Sequence, residues 1–274
     1  MLKKLLKYDT RALIRYWWII AVVIVGATGL DIACTLFYNQ YAYTDNYELL
    51  VGIAHLISLL CNGLTLYSIG ATSLILYIRF YTNLYTDQGY LTFTLPVKRS
   101  TLLASKTIHA FAWEMIHILL VLVCKLALWI ITRNVVFENF VEWLTEAWAD
   151  IGALLAVYVI LGCIFLIIYL LFSIAIVHMC ITLGAVIVKK AKVFASIGIY
   201  YAINTVINIA VIGQAALAIA ALISAPNIVG ALTELEIHTV VVLAACMLIL
   251  MMLAYTALIY FITLSCMERK LNLS

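Results

Sequence analysis

Six long apolar segments constrain the fold of this 274-residue chain more than any other feature. Each exceeds the ~20 residues that an α-helix needs to cross the hydrocarbon core of a bilayer. The segments are continuously apolar instead of alternating, which favours helices over the strands of an outer-membrane barrel. The sequence therefore predicts an all-α polytopic membrane protein with six transmembrane helices. The predicted spans cover residues 16–38, 49–78, 107–132, 151–188, 193–224 and 239–265.

Composition excludes the other broad classes of protein. The chain is 67% hydrophobic and 11% charged, whereas soluble domains carry about a quarter charged residues. A disordered chain would be polar and highly charged. The seven cysteines lie in or beside the apolar segments, with no C-x-x-C pair among them. They are therefore interpreted as packing residues, neither a disulfide framework nor a metal site.

The basic residues test the number of spans independently. Fourteen of the 16 Lys and Arg residues fall before the first span, after the last, or in alternate loops, and the opposite loops are mainly acidic. By the positive-inside rule, both termini are predicted to be cytoplasmic. An odd number of spans would destroy this pattern. The fourth span, 151–188, is long enough that it must tilt, bend or project from the bilayer.

Residues 1–15 are predicted to form an amphipathic helix on the inner membrane surface, ahead of a single six-helix domain at 16–274. Five basic residues share one helical sector, and leucines occupy the opposite one. Asp9 lies awkwardly on the apolar side. Either the helix is continuous there, or it breaks and Asp9 or Thr10 caps the first span; the preference of these residue types for caps favours the break.

The segment 79–106 is the one long cytoplasmic loop, and it is rich in aromatic residues. The sequence predicts a short helix at 82–87 ended by Gly89, an extended stretch at 90–95 before Pro96, and a cap at Ser100. Its exposed apolar side chains need a covering surface. A protein partner is favoured, and the membrane interface is the alternative.

Residues 87–106 carry a resemblance to a known family. They read D-Q-G-Y-L-T-F-T-L-P-V-K-R-S-T-L-L-A-S-K, which resembles the cytoplasmic signature of bacterial ABC-2-type permease subunits. In that group, an acidic residue, Gly-Tyr-Leu, Thr-Leu-Pro and a downstream Ser-Lys occur between the second and third spans. The basic amphipathic N-terminus and the six spans also agree with the layout of these type V exporter-like permeases.

The resemblance implies a function and a set of partners. In such permeases this elbow contains a coupling helix that docks on an ATP-binding subunit, and a second permease unit, identical or related, completes the transporter. The chain itself has no G-x-x-x-x-G-K-[ST] loop, so ATP and Mg²⁺ would belong to the partner. No catalytic residue, metal site or nucleic-acid partner is predicted in the chain, which would lie among the lipids of the bacterial plasma membrane. The implied coupling residues are Tyr81, Leu84, Tyr85, Asp87, Gly89, Tyr90, Leu95 and Pro96.

Polar residues inside the spans form two stripes at helical spacing. They either line a translocation pathway or hydrogen-bond between helices, and the pattern does not separate these alternatives. The predicted pathway residues are His55, Ser58, Asn62, Thr65, Asn204 and Asn208, with Ser68, Thr72, Tyr201 and Thr205 on the same helix faces.

Ionisable residues inside the spans suggest two further features. Asp31 and Lys125 are predicted at similar depth in the outer half of the membrane, either as an ion pair or each reaching the outer interface alone. Glu114 and His117 form one E-x-x-H pattern near His109. A single copy is weak evidence for a metal site, so a hydrogen-bonded pair near Lys106 is favoured.

The sequence leaves two competing functions. An ion-coupled secondary transporter would predict inverted repeats and interrupted helices, which the sequence does not display. A sensor or immunity protein would use its polar residues only for helix packing. For a transporter, modestly polar helices favour export of a peptide, lipid or drug-like amphiphile.

An outer amphipathic helix at 135–150, rich in Trp and Glu, either caps an exit or anchors the chain.

Overall fold

The computed structural model describes the backbone at residues 2–132, 135–188, 190–224 and 234–269. Side chains in these ranges are described except at 45, 135–137, 150, 210–212, 214–224, 234–236 and 269. Several charges used for the predicted orientation therefore lie outside the described side chains: Asp45, Arg133, Asp150, Lys189, Glu234, Glu236, Arg269 and Lys270.

The described residues form helices and no strands. The helices are α1 (Leu2–Tyr41), α2 (Glu48–Tyr85), α3 (Asp87–Thr94), α4 (Arg99–Thr132), α5 (Val135–Ile151), α6 (Ala153–Ile187), α7 (Lys192–Ser224) and α8 (Glu234–Arg269). A 3₁₀ turn, Asp45–Tyr47, connects α1 to α2.

Six of these helices are long and apolar enough to cross a membrane, namely α1, α2, α4, α6, α7 and α8. The chain is thus an all-α protein with the build of a multi-pass membrane protein, as the sequence predicted. The fourth predicted span is one uninterrupted helix of 35 residues, about 52 Å long at 1.5 Å per residue.

The start of α1 corrects the prediction of a break at Asp9 or Thr10. The helix runs from Leu2 to Tyr41 without interruption, so neither residue is a cap. Instead, the Asp9 carboxylate accepts two hydrogen bonds from Lys106 Nζ on α4, at 2.6 and 2.8 Å. A carboxylate paired in this way can remain inside a helix, because its charge is neutralised by tertiary contact.

The chain divides into two compact units. The N-terminal unit contains Met1–Phe80 and Thr101–Asp150, and the C-terminal unit contains Tyr81–Ser100 and Ile151–Ser274. The elbow between α2 and α4 therefore groups with the second half of the chain. Within the C-terminal unit, α6 and α7 approach closely where Gly184 faces Ser196: a Cβ at Gly184 would lie 2.7 Å from the Ser196 backbone nitrogen.

Candidate functional site

The elbow between α2 and α4 differs from its prediction in detail. Helix α2 continues to Tyr85, Thr86 is extended, and Asp87–Thr94 form α3, so the stretch predicted as extended is mostly helical. Gly89 lies inside α3 and does not end a helix. Leu95 is extended ahead of Pro96, as predicted. Helix α4 begins at Arg99, so Ser100 lies in its first turn and is not its cap.

One face of α3 packs against the end of α2. Gly89 is buried there: a Cβ at this position would lie 2.7 Å from the Leu84 carbonyl carbon. The Thr92 hydroxyl donates to the Asn83 carbonyl at 3.0 Å. Only glycine allows α3 to approach the α2 backbone this closely.

The opposite face of α3 is uncovered. Tyr90 and Leu91 are 65% and 68% exposed, and this face continues into Leu95 and Pro96, which are also exposed. Large apolar side chains on an exposed surface between helices are typical of a binding surface. We call this set the α3 surface; it consists of Asp87, Gln88, Tyr90, Leu91, Thr94, Leu95 and Pro96.

The residues predicted to couple therefore separate into two groups. Asp87, Tyr90, Leu95 and Pro96 lie on the α3 surface, whereas Leu84, Tyr85 and Gly89 are buried and Tyr81 is partly buried. Sequence reasoning missed Leu91, because an extended strand would have placed neighbouring residues 90 and 91 on opposite faces. On a helix the two side chains are about 100° apart instead, and both lie on the exposed side of α3.

Hydrogen bonds join the elbow to the long helices α6 and α8 of the C-terminal unit. The Tyr85 and Thr182 hydroxyls lie 2.6 Å apart, which joins the end of α2 to α6. The Arg99 guanidinium donates to the Met267 carbonyl on α8 and lies 5.6 Å from the centre of the Phe93 ring. The Tyr260 hydroxyl donates to the Ser100 carbonyl at 3.3 Å. Both ends of the elbow are thus attached to this unit.

The polar stripe of α2 lies in the N-terminal unit and bonds mainly within the protein. Thr65 donates to the Cys61 carbonyl in its own helix at 2.8 Å, and Ser68 Oγ lies 3.0 Å from His117 Nε2 on α4. His55 is exposed and its ring lies 5.2 Å from that of Tyr38. These contacts favour helix association for most of the stripe.

The second predicted stripe, on α7, lies in the C-terminal unit. Asn204 is half-buried, whereas Asn208 and Thr205 are exposed. The Thr205 hydroxyl donates to the Tyr201 carbonyl within the same helix, at 2.8 Å. The exposed polar atoms of α7 are therefore available to a partner, a ligand or lipid headgroups.

Asp31 and Lys125 do not contact each other directly. The Asp31 carboxylate accepts a hydrogen bond from Ser58 at 2.5 Å, and Lys125 Nζ donates to the Asn62 side-chain oxygen. Ser58 and Asn62 are one turn apart on α2, so the two charges attach to neighbouring positions of the same helix. The predicted direct ion pair is replaced by a five-residue polar cluster, which also contains Thr35: its hydroxyl lies 3.4 Å from the Asp31 carboxylate and 3.2 Å from the Ser58 hydroxyl.

The Ser58 hydroxyl gives a testable measure of this cluster. Replacing Ser58 with Ala is expected to lower the free energy of unfolding by about 1.5–3 kcal/mol, because a buried carboxylate loses a charge-assisted hydrogen bond. Denaturant unfolding of the purified protein in detergent measures the change. Thr205→Val is the control, since it removes an exposed hydroxyl that bonds only within its helix. Equal stability of both variants would contradict the role of Ser58.

The buried face of α4 carries the remaining ionisable residues. His109, Glu114 and His117 are 7%, 3% and 0% exposed. Glu114 and His117 take different partners on α2: Ser73 and Tyr77 face the Glu114 carboxyl, and Ser68 faces His117. The predicted direct pairing of Glu114 with His117 is therefore wrong. Among the described residues, no group of three His, Cys, Asp or Glu side chains could hold a metal ion.

Comparison with known proteins adds no relative. No protein-family model, curated protein or solved structure matches the chain. The geometry of the elbow and the buried polar groups are therefore the features that point to a function.

Proposed function

We propose that this chain is the permease subunit of an ATP-driven transporter of the ABC-2 type, and that the α3 surface is where a separate ATP-binding subunit docks. The observation that carries the proposal is the exposure of Tyr90 and Leu91 on a short helix between two membrane-spanning helices. This helix coincides with the residues that resemble the ABC-2 signature. Exposed aromatic and aliphatic anchors are the residues that most often dominate protein–protein binding energy.

The attachments of the elbow support a coupling role. A force on α3 reaches α6 through the Tyr85–Thr182 hydrogen bond and α8 through the Arg99–Met267 hydrogen bond. The packing of Gly89 and Thr92 against the end of α2 resists independent bending of α3. Movement of the partner would therefore shift α3 together with the membrane helices of the C-terminal unit.

The proposal assigns ATP and Mg²⁺ to the partner, whose closure on nucleotide supplies the energy. A second permease unit, identical or related, would complete the transporter in the plasma membrane, with both termini on the side of the ATP-binding subunits. The cargo that fits best is a peptide, lipid or drug-like amphiphile. The buried polar groups of α2 are largely used in helix contacts, which leaves an apolar surface better suited to amphiphiles than to sugars.

Replacing an anchor of the α3 surface with a charge tests the docking proposal. Tyr90→Asp and Leu91→Asp are each expected to weaken binding of the ATP-binding subunit by about 30-fold or more, the effect of losing a 2 kcal/mol hot spot. The measurement is co-purification and titration with the product of any neighbouring gene that encodes a phosphate-binding loop. Stability should change little, because both side chains are exposed.

Tyr43→Asp is the matched control for these variants. Tyr43 is 99% exposed in the connection between α1 and α2, on the predicted opposite side of the membrane. It should leave binding unchanged. If all three variants bind the ATPase equally, or if no ATPase associates with the wild-type chain, the docking proposal fails, and an ion-coupled transporter or a sensor becomes the better explanation.

A further inference from the structure

The N-terminal unit holds several buried polar atoms that have no hydrogen-bond partner. All such atoms among the described side chains lie on three of its helices, α1, α2 and α4. In the hydrocarbon region an unsatisfied polar atom costs several kcal/mol, so a concentration of them indicates a ligand or water site. The atoms are Trp17 Nε1, Thr72 Oγ1, His109 Nε2, Glu114 Oε1 and His117 Nδ1.

Three of these atoms lie at one level of the unit. His117 contacts Ser68 of α2, and the Glu114 carboxyl faces Ser73 and Tyr77 one turn further along α2. Thr72 lies between Ser68 and Ser73 in the sequence and is 3% exposed. The unpartnered atoms of Thr72, Glu114 and His117 therefore lie in the region where residues 68–77 of α2 face residues 114–117 of α4.

The tautomer of His117 follows from the hydrogen bonds of Ser68. The single hydroxyl proton of Ser68 goes to the Thr65 carbonyl, 2.6 Å away. Toward His117 the Ser68 oxygen must accept, so His117 Nε2 carries the proton. In the neutral ring, Nδ1 is then an acceptor without a donor.

Together these three atoms offer the donor and acceptors that one water molecule can use. Glu114 Oε1 and His117 Nδ1 each need a donated proton, and the Thr72 hydroxyl can donate in return. A buried water typically makes about three hydrogen bonds of this kind. We propose that Thr72, Glu114 and His117 form an intramembrane site that binds a water molecule and one exchangeable proton, which the Glu114 carboxylate accepts.

The charged surroundings give the proton an entry route. The titratable groups facing the site are Tyr77 beside Glu114 and, about one to two turns along α4, His109 and Lys106, with Asp9 of α1 and Arg79 of α2 near His109. His109 Nε2 is itself unpartnered. A proton from a hydronium ion at the Asp9–Lys106 end passes to His109 and then through water to Glu114. The hydronium becomes water, and the carboxylate becomes a neutral acid.

Beyond the site along α4, Lys125 bonds to the neutral Asn62 side chain and so places a positive charge there, whereas Asp9 neutralises the charge of Lys106 at the entry end. The positive charge of Lys125 opposes passage of a proton past the site. The arrangement therefore favours reversible proton binding over an open leak, which is the behaviour expected of a site that links protonation to a conformational step. This inference does not depend on the identity of any ATP-binding partner.

Infrared titration of the full chain in lipid nanodiscs tests the site, with protons and deuterons as the probes. The carboxylic-acid C=O band of Glu114 is expected to grow as pH falls, because the carboxylate takes up the exchangeable proton. The band should disappear in E114Q and persist in E142Q, since Glu142 is exposed on α5. Thr72→Val should shift its midpoint by about one pH unit, because the bound water loses a donor.

Access is measured by transferring the protein to D₂O. The band should shift rapidly in the wild type and more slowly in His109→Gln, which interrupts the route but keeps a polar side chain. A band that is absent at every pH, or that neither titrates nor exchanges, would overturn the proposal. If E114Q does not fold, the titration midpoint of T72V and the exchange rate of H109Q still test the site. A midpoint and an exchange rate that both equal those of the wild type exclude the site.

Discussion

Removing either charge of the Asp9–Lys106 ion pair is expected to lower the free energy of unfolding by about 3–5 kcal/mol. The Asp9 and Lys106 side chains are 13% and 10% exposed, and both carboxylate oxygens lie within 2.8 Å of the lysine nitrogen. Asp9→Leu or Lys106→Met would leave the other charge nearly buried without a counterion. Denaturant unfolding of each variant in detergent measures the loss.

The double variant shows whether stability depends on the contact between the two charges or on each charge by itself. Replacing both residues, as Asp9→Leu with Lys106→Met, should restore stability to within about 1 kcal/mol of the wild type, because apolar pairs often replace buried ion pairs at little cost. Lys7→Met removes an exposed charge of α1 and should have little effect. If the losses of the two single variants simply add in the double variant, the two charges act independently and the pairing is contradicted.

The Asp9 contact explains why the predicted break in the first helix was wrong. From the sequence, an aspartate on the apolar face of an amphipathic helix is most simply explained as a cap. Its actual partner, Lys106, lies 97 positions away. Hydrophobic length determined the number and approximate positions of the spans, whereas this long-range contact determined whether a helix breaks at Asp9.

The contacts of Asp31 and Lys125 could not be predicted from the sequence. Counting residues along two helices predicts a similar depth for both, and the structure bonds them to Ser58 and Asn62, one turn apart on α2. Depth does not determine the rotation of a helix about its axis. Ser58 and Asn62 therefore take the bonds that the sequence had assigned to a direct pair.

The elbow shows a similar limit of local reasoning. Glycine after a short helical stretch is a common helix end, so Gly89 was assigned that role. The structure uses Gly89 for close packing instead, since any side chain there would meet the backbone of Leu84. This requirement is tertiary and cannot be read from the residues immediately around Gly89.

Gly89→Ala is expected to disrupt the elbow and weaken binding of the proposed ATPase partner by about tenfold or more. The added Cβ would lie 2.7 Å from the Leu84 carbonyl carbon, and its three nearest neighbours are all backbone atoms of Leu84, so no flexible side chain can move aside. Helix α3 must shift away from α2, which displaces Tyr90 and Leu91 without altering them. Overpacking of this kind costs about 1–3 kcal/mol, measurable as a lower unfolding free energy.

Gly70→Ala in α2 is the control, because its expected effect on stability is zero or the opposite of that of Gly89→Ala. No atom lies within 4 Å of a Cβ at Gly70, so alanine should leave stability unchanged or raise it by up to about 1 kcal/mol through its higher helix propensity. Binding of the partner should not change. If Gly89→Ala also keeps both stability and binding, α3 does not pack on Leu84 as described. If it loses stability but keeps binding, the position of α3 does not control docking, and the ATPase subunit must contact the permease elsewhere.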